Sequence, residues 1–303
     1  MQRFRQWLGT SAQAVRTGAF GPAEANSDKL RIVMGNTSCD VDSAVGALVL
    51  AHFYNIKYNQ QWIPVINCRR EDFFVNLEIT LHLEKCGISH DQLYFYDEFR
   101  AQYPDAESID EVALIDHNVL DKDQSDLGSK VTRVVDHHID SGAYAGQLKE
   151  KQCHLVGSAC SLVALMIKAD EALYAEDMER MEPGQPANLA YLLGAAVVLD
   201  SYFFKEELRA KKWTEQDTEA YDFLMRFADI SHDYWSALND IKFNVQAGLG
   251  LGLKGIFIRD FKQYDLESGM MGVSVSTGTI DTVLAHFGSE QFGAACKAYT
   301  LEK

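Results

Sequence analysis

The segment VVDHHID (residues 134–140) sets an aspartate, two adjacent histidines and a second aspartate at the end of an apolar run. Neighbouring side chains on a strand point to opposite faces, so a strand cannot aim both imidazoles at one place. Past the strand's end that restriction lifts. Two further apolar runs end in the same way. LRIVMGN leads to Asn36, Asp40 and Asp42 in the loop GNTSCDVDS, and EVALID closes on Asp116 with His117 behind it. A D-x-D alone is often a helix cap in a solvated turn, and a buried histidine is more often hydrogen-bonded core than ligand. Three runs that deliver acids and imidazoles at the same point form a candidate site, because ligands of open α/β sheets bind beyond the strands' carboxyl ends.

The chemistry follows from the donor types. Carboxylates dominate, joined by imidazoles and by no paired-thiolate motif, a hard set suited to Mg²⁺ or Mn²⁺ rather than structural zinc. Asp40 and Asp42 can serve two neighbouring ions, and Asp116 can bridge them. Two ions roughly 3.5–4 Å apart activate water and clamp the oxygens of an in-line phosphoryl displacement. They also let an acidic chain hold a polyanion. The formal charge here is −16, from 28 Lys+Arg against 44 Asp+Glu. That charge, without a long Lys/Arg run, argues against nonspecific nucleic-acid binding.

Such residues need strands to carry them. LRIVMG, WIPVIN, QLYFYD, EVALID and TRVVD read as strands. Helical patterns cover residues 43–54 (capped by Asp42 or Ser43), 73–86, 160–168 and 187–199. Near-continuous apolar strands alternating with helices predict an α/β fold, a parallel sheet covered on both faces. After about Lys212 the texture changes. WTEQDTEAYDFLMRFADI and HDYWSALNDIKF read as amphipathic helices, LKGIFIRDFKQYD and MMGVSVSTG as strands, and residues 280–287 and beyond as short helices. For 303 residues two domains are the better expectation. The reading divides the chain into an opening helix and linker (1–26), a metal-binding catalytic domain (27–205) and a smaller α+β substrate-closing domain (213–303), with the hinge between Ser201 and Lys212.

Six widely spaced cysteines without a C-x-x-C pair fit ordinary thiols in a reducing compartment. No apolar run approaches the roughly 18 residues of a membrane span, so no membrane partner is expected. The opening MQRFRQWLGTSAQAVRTGAF is Arg-bearing and acid-free, as mitochondrial transit peptides are. The favoured reading is a short surface helix packing Phe4, Trp7, Leu8 and Val15 on the first domain. The expected location is therefore cytoplasmic, with mitochondrial as the alternative.

In order along the chain, GNTSCDVDSA, ALIDHN, VVDHH and VVLDS, with VGSACSLV before the last, resemble the motifs of the DHH phosphoesterase superfamily. The resemblance runs from about Leu30 to beyond Phe261, and RDFK (residues 259–262) resembles the DHHA2 type of second domain. The GGGH signature of RecJ-like nucleases is absent from the sequence. Pyrophosphatases of this branch open their first motif with G-H. Gly35 and Asn36 instead resemble the Prune/exopolyphosphatase group, as do the opening helix and IPVINCRRED. The resemblance implies Asp40 on a first divalent ion, Asp42 on a second, Asp116 bridging both, and His137 and Asp200 completing the second site. Asn36 would be a weak ligand or orient water. His138 would face the substrate, Lys262 and Arg259 would close onto phosphates from the second domain, and Arg69 and Arg70 would extend the cradle. The implied activity is release of orthophosphate from short-chain inorganic polyphosphate. The alternatives are a pyrophosphatase, a nucleotide phosphodiesterase, or a low-activity regulatory or binding protein on the same fold. A complete DHHA2 domain is expected to run beyond Lys303, and Ser201 stands where a threonine is usual.

Overall fold

A computed structural model of the chain describes residues 2–18, 29–179, 187–228, 231–242, 244–259 and 280–302. Five strands form one sheet: β1 (Leu30–Met34), β2 (Ile63–Val65), β3 (Ile109–Ile115), β4 (Val131–Asp136) and β5 (Glu150–Cys153). All pairings are parallel, in the order β2-β1-β3-β4-β5. Successive residues feed opposite faces. Val33, Ala113, Ile115 and Val135 enter one apolar cluster, while Ile32, Met34, Val112, Leu114 and Val134 enter the other. Both faces are covered, which is why these strands read as unbroken Val/Ile/Leu runs.

The helices explain the coverage. α1 (Gln2–Thr17) places Phe4 and Leu8 in the first cluster and Ala12 and Val15 in the second, with Trp7 half-buried alongside. This is the packed opening helix that the sequence favours. α2 (Val41–Tyr58) crosses between β1 and β2; α3 (Leu77–Lys85) and α4 (Tyr96–Gln102) lie between β2 and β3. α5 (Ala159–Ala169) and α6 (Leu189–Asp200) complete the larger core with α2. The chain goes from β1 outward to β2, then returns past β1 to β3. The carboxyl ends of β1 and β3 therefore part at a topological switch point, where a crevice opens.

Several elements differ from the sequence reading. QLYFYD is no strand: Ile66 and Phe95 form one isolated bridge, and α4 starts at Tyr96. Glu98 Oε2 accepts from Phe95 N at 3.2 Å, so the third helical residue satisfies the N-cap amide and starts the helix. β5 was not legible, because EKQC is a polar edge strand without apolar alternation. α2 is capped by Asp40, whose carboxylate accepts from Ser43 N, rather than by Asp42 or Ser43.

The second half departs further. α7 (Glu215–Met225) and α8 (His232–Lys242) bring Phe223, Leu224, Trp235 and Leu238 into the main core. Among the described residues, α7 and α8 are therefore not set apart from the first core. After α9 (Val245–Leu249), residues expected as a strand form α10 (Gly252–Arg259). Leu253, Ile256 and Phe257 have helical spacing and pack with Val283 of α11 (Ile280–Phe287) and Tyr299 of α12 (Ser289–Glu302). The strand expected at MMGVSVSTG lies outside the described residues.

The end of β1 approaches α2 at Gly35, where a Cβ would sit 2.6 Å from Ser43 O and 2.8 Å from Ser43 Cβ. Backbone this close cannot yield. Gly35→Ala should therefore cost roughly 1–3 kcal/mol, the range for overpacking a tight site, read as a lower urea midpoint with an unchanged slope. An unaltered midpoint would show that the contact relaxes freely.

Candidate metal and catalytic centre

The crevice is organised around Asp116, the residue after β3. Its φ of 61° is left-handed, a conformation that aspartate tolerates better than most residues. Its N–H donates to Val135 O at 3.0 Å. The carboxylate is buried, and burial, then the charge of Asp42, raise its pKa well above the usual value, against the pull of His137. Ser43 Oγ donates to Oδ2 at 2.5 Å, and Asn36 Nδ2 donates to Oδ2 at 2.7 Å and to the Asp116 carbonyl at 3.1 Å. Asn36 is fixed from its other side, since Oδ1 accepts from Ser38 N and Ser38 Oγ.

The two acids of D-x-D play unlike parts. Asp40 caps its own helix. Asp42 is buried and reaches across to the start of α5, accepting from Ser158 Oγ at 2.5 Å, Ala159 N at 2.8 Å and Cys160 N at 2.9 Å. A helix N-terminus presents unpaired amides and partial positive charge, which suits a carboxylate. Asp200, the last residue of α6, is half-buried; burial and the charges of Asp42 and Asp40 raise its pKa well above the ordinary range. Asp40, Asp42, Asp116 and Asp200 thus sit close enough to feel one another.

The two histidines diverge. His137 Nε2 lies 3.0 Å from Asp116 Oδ1 and 3.7 Å from Asp42 Oδ2, and its Nδ1 donates to Val156 O at 3.2 Å. Burial opposes its protonation, but the Asp116 hydrogen bond and the charges of Asp42, Asp116 and Asp200 prevail and push its pKa up to about 10. His138 is the more open of the two, with more than half its side chain exposed and its Nδ1 3.8 Å from Asp116 Oδ1. Its Nδ1 donates to Asp136 Oδ1 at 2.9 Å, and that bond raises its pKa. Asp136 is itself held by Asn118 Nδ2. Both rings therefore donate through Nδ1, and their raised pKa values favour a second proton on Nε2.

Of the expected cradle, Arg69 pairs with Asp72 and Glu71, and Arg70 with Glu98, His90 and the Leu93 carbonyl. Neither is drawn into the acid–imidazole group in this structure. Arg259 binds Glu78 and the carbonyls of Ile241 and Lys242, tying α10 to α3 and to the end of α8. Lys262 lies outside the described residues. Among the described residues, Lys242 is a cation that stands near the acids. Burial lowers its pKa, but Asp200, Asp40 and Glu78 outweigh this and raise it. The sequence reading missed it because a lysine in the last turn of an amphipathic helix reads as an ordinary surface charge. Ser43 was visible only as a helix-cap candidate, and Ser158 only as a member of VGSACSLV.

Asp116, His137 and His138 each offer one ligand atom within 4.8 Å of the others. Mutually repelling acids, with raised pKa values at Asp116 and Asp200, leave an excess of negative charge that a divalent cation would offset. The residues fit Mg²⁺ or Mn²⁺.

The sequence profile of the DHH family, N-terminal domain, matches residues 31–197. Among curated proteins the chain is similar to Exopolyphosphatase PRUNE1 of Homo sapiens, with 30% identity over 72% of this chain and 47% of that protein. It is also similar to the manganese-dependent inorganic pyrophosphatase of Methanocaldococcus jannaschii, 25% identical over 80% of this chain and 70% of that one. This chain spans about half the length of the curated human relative it matches. A Methanococcus jannaschii crystal structure, provisionally described as a family II inorganic pyrophosphatase, shares the fold with a TM-score of 0.60. It is 21% identical and covers 89% of this chain and 80% of that one. No helix among the described residues is long and apolar enough to cross a membrane.

The protonation states give a signed expectation. A folded pKa raised above the ordinary value stabilises the fold below that ordinary value and ceases to do so as pH rises through the folded one. For His137 this interval runs from 6.5 to about 10, and the raised Asp116 and Asp200 act in the same direction. Divalent ions require deprotonated ligands. In EDTA the melting temperature should fall across this interval, and the gain on adding Mn²⁺ should grow. A gain that shrinks with pH would exclude His137 and these acids as the holders of the ion.

Proposed function

We propose a function from one premise: this chain belongs to the DHH family. It is a metal-dependent phosphoanhydride hydrolase that removes orthophosphate from an end of short-chain inorganic polyphosphate. The observation that carries the finer reading is Asn36. Its amide donates to Asp116 and its oxygen accepts from Ser38, so the first motif offers no imidazole where the pyrophosphatase branch has one. The similarity to Exopolyphosphatase PRUNE1 supports the same side of that division.

In this reading Asp40 would hold a first ion and Asp42, His137 and Asp200 a second, Asp116 would serve both, and Asn36 steers Asp116. When bound, the ions supply Lewis acidity and offset the charge of the polyanion. His138, anchored through Nδ1 on Asp136, presents Nε2 to the solvent side and protonates the departing phosphate. Lys242 adds fixed positive charge for phosphate oxygens. Arg259 and Lys262 remain proposals for closure, and residues 213–303 for a substrate-closing unit. Arg69 and Arg70 would have to exchange carboxylate partners to join.

A panel of pyrophosphate, tri-, tetra- and long-chain polyphosphate and cyclic nucleotides, with Mg²⁺ or Mn²⁺, tests the substrate. Tri- or tetraphosphate should be cleaved fastest; a strong preference for pyrophosphate would replace this reading with the pyrophosphatase one. Asp116→Ala should abolish turnover in a folded protein.

The histidines should fail differently. His137→Ala should weaken Mn²⁺ binding, with part of the rate restored by excess metal. His138→Ala should leave binding nearly unchanged while kcat falls by ~10²–10⁴, the usual range for a positioned proton donor. Calorimetry beside steady-state rates checks both halves. Identical metal loss and identical rescue in the two variants would remove the division of labour.

A further inference from the structure

Behind the metal-facing residues lies a buried carboxylate that the proposed chemistry does not use. Asp217, in the first turn of α7, is fully buried. Its Oδ2 accepts from Thr214 N at 2.8 Å and Thr214 Oγ1 at 3.1 Å, the ordinary local duty of an acid at this helix position. Two further bonds leave the helix. Gly157 N donates to Oδ2 at 2.8 Å, and Ser161 Oγ donates to Oδ1 at 2.6 Å.

Those two donors bracket the turn that aligns the metal-facing side chains. Val156 O receives the His137 Nδ1 hydrogen bond, and Ser158 Oγ, Ala159 N and Cys160 N hold Asp42. Gly157 leaves no room for adjustment. A Cβ there would meet Lys212 O at 2.5 Å, Ser201 Oγ at 2.8 Å and Asp217 Cγ at 3.3 Å. The turn is thus wedged between the histidine that follows β4 on one side and the segment that follows Asp200 on the other.

We infer that Asp217 is a positioning residue for the metal centre: it fixes the 156–161 turn and, through it, the orientation of His137 and Asp42. The inference rests on the divalent-metal reading above. Outer partners of metal-facing groups typically contribute 10–100-fold in affinity, because a ligand free to rotate must be ordered again on binding. The carboxylate suits the task because its oxygens accept from four donors; an amide in its place would turn an N–H toward one of them.

Calorimetric titration of Mn²⁺ into the folded chain tests this, with the metal-free melting temperature recorded for each variant. Asp217→Asn should weaken Mn²⁺ binding by about tenfold or more, and the Mn²⁺ concentration needed for half-maximal rate should rise in parallel. Thr214→Val removes only the local hydroxyl of the same carboxylate's shell; it should leave Mn²⁺ affinity within about twofold even where its melting temperature falls as far. Ser161→Ala, a milder change, should weaken binding in the same direction and serves where Asp217→Asn does not fold. Unchanged affinity in folded Asp217→Asn and Ser161→Ala, or an equal loss in Thr214→Val, would overturn the positioning role alone. A wild-type chain that takes up no Mn²⁺ would remove the metal reading and this role with it.

Discussion

Crowded negative charge is the constraint on which the rest of the structure depends. Asp40, Asp42, Asp116 and Asp200 converge where Coulomb repulsion is poorly screened, in a chain that already carries −16. Each acid is managed in its own way. Asp42 lies on a helix N-terminus, Asp116 receives two side-chain donors and an imidazolium, and Asp40 caps α2. Asp200 has its pKa raised by burial and by the charges of Asp42 and Asp40, against the pull of Lys242. A fold that concentrates charge in this way is arranged for a cation, since apolar packing would stabilise it at lower cost.

The histidine pair shows how adjacency becomes division of labour. The first ring faces the carboxylates and is anchored by a main-chain carbonyl, while the second is anchored by Asp136 and stands toward solvent. Their ring centroids are only 4.3 Å apart, yet their environments are opposite. That arrangement requires the strand to end at Asp136. One residue more of regular strand would send the rings to different faces of the sheet.

The first helices after Asp200 are bound closely to the DHH-family half of the chain. α7 and α8 share the main core, and Arg259 of α10 closes on the ends of α3 and α8. The connector carries three consecutive left-handed residues, Tyr202, Phe203 and Phe204, which bulky L-residues adopt only when surroundings hold them. Phe204 packs on Trp213 and Tyr221, and Phe203 on His232. The strain and its restraints therefore lie directly beside Asp200.

Local pattern was enough to place the strands of β1, β3 and β4, the helices between them, and the acids and imidazoles at the strand ends. Each of these depends on side chains adjacent in sequence: an unbroken apolar run marks a strand buried on both faces, and a polar residue after it marks the end. The same logic failed where the local signal was ambiguous or absent. EKQC has no apolar period, QLYFYD has a strand's composition but is followed by Glu98, which caps a helix, and LKGIFIR serves either period until Val283 and Tyr299 select the helix. Tertiary structure alone decided which atoms meet. Strand order brought the ends of β1 and β3 to one crevice, α5 took Asp42 from the helix it was expected to cap, α8 delivered Lys242, and α7 set Asp217 behind the turn. Those meetings join residues up to 202 positions apart in the chain (Asp40 to Lys242); no local periodicity can encode them, because they depend on how whole elements cross and pack.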